Sequence, residues 1–136
     1  NVLSTIAFSP DGKTLASGDG LDARLWDVKT GKLMRTLTSP NRVFSVVFSP
    51  DGKTLASGGP NFDRGLISNA LTRTSSPTHR AARKSSGEVR LWDVQTGQLL
   101  RTFKSGHWVL RIAYAPDGKT LANTSDDDTV RVCRLQ

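Results

Sequence analysis

The sequence predicts an all-β fold, and three observations carry that prediction. The turn sequence Ser-Pro-Asp-Gly-Lys-Thr-Leu-Ala begins at Ser9 and at Ser49, and it returns from Ala115 with Ala in the first place. Short runs of β-branched and aromatic residues precede each turn, as β-strands do. Two later runs end in Trp-Asp, at Trp26 and Trp92. A turn repeated this faithfully indicates copies of one structural unit.

The distances between the repeated turns are unequal. Pro10 and Pro50 are 40 residues apart, whereas Pro50 and Pro116 are 66 apart, so the middle unit carries about 26 extra residues. We assign residues 1–40 to a first unit, 41–106 to a second unit with an insertion at 60–86, and 107–136 to an incomplete third unit.

Each unit is predicted to contain four short strands joined by tight turns. The first strands are expected at 3–8, 43–48 and 109–114. The turn follows because proline presets φ, aspartate favours the next position and glycine accepts a positive φ. A second strand follows at 13–17, a third strand ends in Trp-Asp, and Thr30-Gly31 or Thr96-Gly97 then closes a hairpin to the fourth.

A lone meander of four strands cannot cover both of its faces, so each unit must stack on a neighbour. The period of about 40 residues, the four strands and the Trp-Asp ending resemble the WD40 repeat, in which each period forms one blade of a β-propeller. The resemblance implies a partial β-propeller of three four-stranded antiparallel blades, with one long loop insertion in the middle blade. Closed propellers need roughly four to eight blades. We therefore expect further blades from a longer chain or from self-association.

The resemblance also implies a hydrogen-bond network within each blade. It links a His before the first strand, a Ser on the second, an acid in the next loop and the Trp, since buried polar groups need partners. The residues assigned to this structural network are Ser17, Trp26, Asp27, Ser57, Trp92, Asp93, His107 and Asp127. In the third unit Asn123 replaces the Ser and Cys133 replaces the Trp. These departures predict blades of reduced stability.

Composition and motifs argue against catalysis. The single cysteine, Cys133, excludes an internal disulfide framework and favours a reducing compartment such as the cytoplasm. The two His residues form no cluster with metal-ligand spacing, and no nucleophile elbow or phosphate-binding loop is present. The run 126–128 of three Asp lacks the spacing of a calcium loop. We predict no catalytic residue, no metal, no cofactor and, without an apolar run of about 18 residues, no membrane span.

The sequence instead predicts a non-catalytic scaffold for protein–protein interaction. Rigid blades hold loops on one face, and residues at the entry to the first strands lie near that face. Trp and Arg are residue types favoured at interaction hot spots. The candidates for partner contact are Arg42, Phe44, Trp108 and Leu110. For Phe44 and Leu110 the alternative is packing between blades.

The insertion at 60–86 suggests an alternative function. Its richness in Ser, Thr, Arg and Pro predicts a disordered loop, and it carries +4 of the chain's net charge of +7. It is either a tolerated surface loop, an arm for an acidic partner or nucleic acid, or a phosphorylation site. The basic residues assigned to partner binding are Arg73, Arg80, Arg83 and Lys84. The arginines that recur on the third strands, Arg24, Arg90 and Arg131, are interpreted as structural surface positions.

Overall fold

The computed structural model describes residues 4–20, 22–61 and 86–135. These residues form three antiparallel sheets that follow one another along the chain. The first sheet contains β1 (Ser4–Phe8), β2 (Thr14–Asp19), β3 (Asp22–Asp27) and β4 (Leu33–Thr38). The second contains β5 (Ser45–Phe48), β6 (Thr54–Asn61), β7 (Ser86–Asp93) and β8 (Leu99–Ser105). The third contains β9 (Val109–Tyr114), β10 (Thr120–Ser125) and β11 (Val130–Arg134).

Each sheet is a simple meander, in which strands adjacent in sequence are also adjacent in space. The all-β fold class predicted from the sequence is confirmed, and the first two sheets have the predicted four strands. The third sheet has three strands within the described part of the chain. It begins, like the others, with the strand that precedes a Pro-Asp-Gly turn.

The strand boundaries differ from the sequence-based prediction in two parts of the second sheet. The pattern predicts a strand from residue 43, but β5 begins at Ser45. The backbone N–H of Val43 donates instead to the Gly20 carbonyl of the first sheet, at 2.9 Å. In addition, β6 and β7 reach Asn61 and Ser86, so both ends of the predicted disordered insertion belong to regular strands. The rest of the insertion, 62–85, lies outside the described residues.

The repeated turn is held by a serine and an aspartate. The Ser9 hydroxyl donates to Asp11 Oδ1 at 2.6 Å and accepts the backbone N–H of Thr14 at 3.0 Å. Asp11 Oδ1 also accepts the backbone N–H of Lys13 at 2.9 Å. Gly12 adopts a φ of 73°, which glycine reaches without steric cost. The same bonds recur at 49–54, whereas Ala115 removes the hydroxyl from the third turn.

The same turn also makes contact between neighbouring sheets. A Cβ added at Gly52 would lie 3.5 Å from Cδ of Pro10, and one added at Gly118 would lie 3.5 Å from Cδ of Pro50. Each proline therefore lies close to the glycine of the next turn, at a distance that would put it in van der Waals contact with a Cβ there. The turn thus reverses the chain and also lies close to the turn of the neighbouring sheet.

The hydrophobic core lies between the sheets. One cluster joins the first sheet to the second and contains Ala16, Ala23, Leu25, Leu37, Val43, Val46, Phe48, Leu55 and Trp92. The other joins the second sheet to the third and contains Ala56, Val89, Leu91, Val109, Ile112 and Leu121. Each sheet thus covers the apolar face of the one before it, which is the stacking that a two-faced meander requires.

Arginines on the outermost strands reinforce this stacking. Arg35 of β4 donates to the carbonyls of Gln95 and Thr96 in the second sheet, at 2.8 and 2.9 Å. Arg101 of β8 donates to the carbonyl of Leu135, beyond β11, at 2.8 Å. Sequence reasoning does not identify these contacts, although both arginines occur in the same Arg-Thr pair of a repeated strand. Their repetition is the signal that could have revealed them.

The tryptophans predicted to belong to a network donate to serines on the neighbouring strand. Nε1 of Trp26 donates to Oγ of Ser17 at 2.9 Å, and Nε1 of Trp92 donates to Oγ of Ser57 at 2.9 Å. The Asp after each Trp has a different role. Asp27 accepts the backbone N–H of Lys29 at 2.8 Å and Asp93 accepts that of Thr96 at 2.9 Å, so both cap the following turn.

The third sheet lacks this Trp–Ser pair. Cys133 stands in the place of the Trp, and a cavity of about 30 Å³ adjoins it between the second and third sheets. The cavity is lined by Val89, Phe103, Ile112, Leu121, Ala122, Asn123 and Cys133. Asn123, in place of the Ser, donates to Oγ of Ser125 at 3.3 Å. The cavity thus adjoins the position where a small Cys side chain stands in place of the Trp.

We expect Ser49→Ala to raise the pKa of Asp51. The Ser49 hydroxyl and then the backbone N–H of Lys53 hold the pKa of that carboxyl below its usual range, and the substitution removes the larger cause. Because the folded-state pKa is the depressed one, ionised Asp51 contributes stability above the unfolded pKa, about 3.9. This contribution is lost as the pH falls from the unfolded pKa through the folded pKa. Over that pH range S49A should therefore lose less stability than the wild-type protein does.

NMR titration of the side-chain carboxyl carbons measures this effect. Asp11 is the internal control, because its own turn is intact in the variant and its pKa should not move. An Asp51 pKa identical in the two proteins would contradict the role given to the Ser49 hydroxyl.

We expect Trp92→Phe to destabilise the fold more than Trp26→Phe does. Ser57 is only 3% exposed, and loss of the indole N–H leaves its hydroxyl without that partner in the core. The expected loss in the free energy of unfolding is about 3 kcal/mol for W92F and about half of that for W26F, whose serine is half-buried.

Urea denaturation at one fixed protein concentration compares the two variants. The double variant S57A/W92F should recover part of the loss, because no hydroxyl is then left unpaired. Equal losses for W92F and W26F would show that burial of the serine does not set the cost.

Candidate functional site

The second sheet is extended at one end. The pairing of β2 with β3 stops at Asp19 and Asp22, but β6 and β7 continue for two further residue pairs. The last of these pairs Asn61 with Ser86, whose hydroxyl donates to the Asn61 carbonyl at 3.0 Å. We call residues 59–61 and 86–88 the stem, since the insertion begins and ends there.

The stem lies between two linkers that lead into first strands. A Cβ added at Gly59 would lie 2.1 Å from the carbonyl oxygen of Arg42, and one added at Gly87 would lie 2.4 Å from that of His107. Such distances exclude any side chain, so the backbone approach requires glycine on both strands. We call the surface formed by the stem, the linkers 39–44 and 105–108, and the loop 126–129 the stem face.

A buried polar cluster joins the stem to the first linker. Oε1 of Glu88 accepts hydrogen bonds from Nε and NH2 of Arg90, at 3.0 and 2.7 Å, and from Nδ2 of Asn41 at 3.1 Å. The same Asn41 nitrogen donates to Oδ1 of Asn61 at 2.8 Å. Asn41 and Glu88 are each 6% exposed, and a cavity of about 10 Å³, about one water in size, lies beside them. Within the described residues no buried side-chain nitrogen or oxygen lacks a hydrogen-bond partner.

In the first sheet the arginine equivalent to Arg90 lies farther from its acids, and these side chains are more exposed. There NH1 of Arg24 lies 4.0 Å from Oδ1 of Asp19, and its NH2 lies 3.9 Å from Oδ2 of Asp22. In the third sheet Arg131 lies 3.4 Å from Asp127. Each recurring arginine thus faces an acid of its own sheet. Sequence reasoning misses Glu88, although an acid stands two residues before the Arg in both of the first two sheets.

The structure brings together two of the residues predicted for partner contact. The rings of Phe44 and Trp108 meet edge to face, with centroids 6.0 Å apart and planes at 67°. Phe44 is buried and Trp108 is half-buried, so the Trp108 ring packs on the more deeply buried Phe44 ring. Arg42 is exposed on the same linker as Phe44, and Leu110 is half-buried in β9. The burial of Phe44 favours packing between blades over direct contact with a partner.

The acids of the loop 126–129 contact the linker that carries Trp108. The backbone N–H of Trp108 donates to Oδ1 of Asp126 at 3.1 Å. The His107 ring lies between two acids, with Nδ1 3.4 Å from Asp126 and Nε2 3.2 Å from Asp127. The Thr129 hydroxyl, then its backbone N–H, His107 and Arg131 hold the pKa of Asp127 below its usual range. The loop thereby holds the backbone of the linker at His107 and Trp108.

The basic residues predicted for partner binding are not described by the structure. Arg73, Arg80, Arg83 and Lys84 fall outside the described residues. Over the described ranges, no group of three or more His, Cys, Asp or Glu is arranged to hold a metal ion. The same ranges contain no helix long and apolar enough to cross a membrane.

A model of the family described as WD domain, G-beta repeat matches residues 1–27, 31–66 and 97–133. The chain belongs to this WD-repeat family. Among its relatives it is 32% identical to nuclear distribution protein nudF of Emericella nidulans, covering 97% of this chain and 35% of that protein. It is 31% identical to periodic tryptophan protein 2 of Arabidopsis thaliana, covering 96% of this chain and 17% of that one. The WD-repeat chain therefore spans about a third or less of the length of these relatives.

A solved structure shows the same fold. The chain superimposes on hydrazine synthase of Kuenenia stuttgartiensis with a TM-score of 0.70 at 23% identity, over 96% of this chain and 32% of that one. At this identity the likeness concerns architecture only. WD-repeat homologues generally act as protein-interaction scaffolds, and the family is generally non-catalytic.

We expect Glu88→Gln to destabilise the WD-repeat fold by about 3 kcal/mol, because it leaves the largely buried Arg90 guanidinium without its counter-charge. Asp22→Asn is the matched control. It removes the equivalent acid of the first sheet, where both partners are partly exposed, and should cost less than about 1 kcal/mol.

Chemical denaturation of both variants at neutral pH measures the difference. Similar losses for E88Q and D22N would show that the second pair is no more important than an ordinary surface ion pair.

Proposed function

We propose that this chain is a non-catalytic protein-interaction scaffold that binds its partner on the stem face, through Arg42 and Trp108 and the adjoining Leu110, with Phe44 packed beneath Trp108. The observation that carries the proposal is the edge-to-face contact of Phe44 with Trp108. It joins two linkers from neighbouring blades, so the docking surface is a property of the stacked blades.

Rigidity supports this choice of surface. The indole of Trp108 packs edge to face on Phe44, and the backbone N–H of Trp108 is held by Asp126 at 3.1 Å. A side chain already fixed in place loses little conformational entropy on binding. Large aromatic and Arg side chains at the centre of a contact surface carry most binding energy in protein interfaces.

Charge supports a second candidate, an acidic partner or nucleic acid bound by the insertion. The stem fixes both ends of the insertion at the stem face, and the basic residues Arg73, Arg80, Arg83 and Lys84 follow in the sequence. Binding of this kind would weaken steeply with salt, because it would release counterions. The first proposal does not require the insertion.

We expect Trp108→Ala to weaken partner binding by about 30-fold, the effect of losing a hot-spot side chain worth about 2 kcal/mol. Arg42→Ala should weaken it by a smaller factor, because the exposed guanidinium remains partly hydrated in the complex. Peptides selected from a random phage-displayed library on the wild-type chain provide the probe, and calorimetry gives their affinities. Leu100→Ala is the matched control, since it truncates an exposed residue of β8 away from the stem face.

A loop-shortened variant separates the two candidates. Replacement of 62–85 by Asn-Gly would close the stem with a two-residue hairpin turn between the paired Asn61 and Ser86. The selected peptides should still bind this variant, and W108A should still abolish most of the affinity. Loss of binding on shortening, with no effect of W108A, would transfer the function to the insertion.

A further inference from the structure

The three Pro-Asp-Gly turns of the chain share one backbone conformation. The glycine φ is 73° at Gly12, 74° at Gly52 and 72° at Gly118. In each turn the glycine N–H donates at 2.9 Å to the carbonyl of the residue three positions earlier. The aspartate before each glycine is exposed to solvent. Backbone geometry and solvent access therefore do not distinguish one turn from another.

Side-chain hydrogen bonding does distinguish the third turn from the other two. Oδ1 of Asp11 and Oδ1 of Asp51 each accept a serine hydroxyl at 2.6 Å and a backbone N–H at 2.9 Å. Oδ1 of Asp117 accepts the backbone N–H of Lys119 at 2.9 Å. Ala115 stands in the serine position and has no hydroxyl to donate. The third carboxylate thus lacks the serine bond that its two equivalents have.

An aspartate followed by glycine is open to a rearrangement of the main chain, because glycine has no side chain to keep its nitrogen away from the carboxyl carbon. The glycine nitrogen attacks Cγ of the protonated carboxyl group. The proton of the nitrogen and the hydroxyl of the carboxyl leave together as water, and a succinimide ring forms. Water then opens the ring at the main-chain carbonyl carbon. The product is isoaspartate, which has the mass of aspartate and one more methylene in the main chain.

The serine bond opposes this reaction in two ways. The side chain must break a charge-assisted hydrogen bond before Cγ can reach the glycine nitrogen. The same bond stabilises the ionised carboxylate: the serine hydroxyl, more than any other group, holds the pKa of Asp11 and of Asp51 below its usual range. Because the reaction consumes the protonated form, a lower pKa slows it at neutral pH.

We propose that Asp117 is a site of spontaneous isoaspartate formation in the folded chain. The equivalent Asp11 and Asp51 are protected by their serines. The product belongs to the class of isoaspartyl carboxylates that protein isoaspartyl methyltransferases accept as substrates. The extra methylene would enter a turn that lies against the second sheet, since a Cβ at Gly118 would be 3.5 Å from Cδ of Pro50.

Ageing of the whole folded chain at neutral pH tests the proposal. Peptide mapping by mass spectrometry with electron-transfer dissociation distinguishes isoaspartate from aspartate at each turn. Asp117 should convert at least about tenfold faster than Asp11 or Asp51, the ratio implied by the loss of one hydrogen bond to a charged group. Methyl groups transferred from S-adenosylmethionine by an isoaspartyl methyltransferase give the total independently. Equal rates at the three turns would overturn the proposal.

Two single substitutions exchange the properties of the turns. Ala115→Ser supplies the missing hydroxyl and should slow the conversion of Asp117 to the rate of Asp51. Ser49→Ala removes the hydroxyl from the second turn and should accelerate the conversion of Asp51 by the same factor, with Asp11 as the internal control. Because S49A acts in another sheet, it separates the effect of the serine from every other property of the third sheet. Rates unchanged in both variants would refute the protective role of the serines.

The urea-unfolded chain provides the second control. The three turn sequences are identical over residues 10–16, 50–56 and 116–122, so the three aspartates should convert at similar rates once the folded hydrogen bonds are lost. An Asp117 that is faster by the same factor in the unfolded chain would assign the difference to sequence and would overturn a cause in the folded turn. Circular dichroism of A115S and S49A before ageing should show the wild-type fold.

Discussion

Every sheet in this chain has two apolar faces, and the fold depends on how those faces are covered. Leu25 is buried only because the second sheet lies on it, and Leu91 only because the third does. The contacts that repeat along the chain all serve this stacking. Pro10 lies close to Gly52 at one edge, and Arg35 joins the outer strand of the first sheet to the second sheet. Sequence repetition is strongest where the same contact must be made again.

Local features of the fold could be predicted from the sequence because their causes are local. The Ser-Pro-Asp-Gly turn contains its own hydrogen-bond partners, so a motif of four residues suffices to place it. The bonds from Trp26 to Ser17 and from Trp92 to Ser57 join adjacent strands of one meander. Once strand order follows chain order, residues at these spacings must meet. Pattern alone therefore determines most of the blade.

Features that arise between distant segments could not be predicted in this way. Asp22 with Arg24 and Glu88 with Arg90 are the same sequence pattern, yet only the second pair is buried. In the second pair Glu88 also accepts a hydrogen bond from Asn41, which lies 47 residues earlier in the chain. The contact of Phe44 with Trp108 likewise joins two blades across a long sequence separation. Composition identifies such residues as candidates, but only the stacked structure brings them together.

The second and third blades place their acid differently, and the position of the insertion accounts for this difference. In the third blade the contact at this position is between His107 and the loop acid Asp127. The second blade has its insertion where that loop acid would be, and the strand residue Glu88 supplies the carboxylate, with Asn41 as its donor. The two extra residue pairs of the stem lie beside the linkers. Their backbone can approach the His107 carbonyl so closely only because Gly87 has no side chain. The strands that carry the long loop thus run close against both linkers, one of which leads to Trp108.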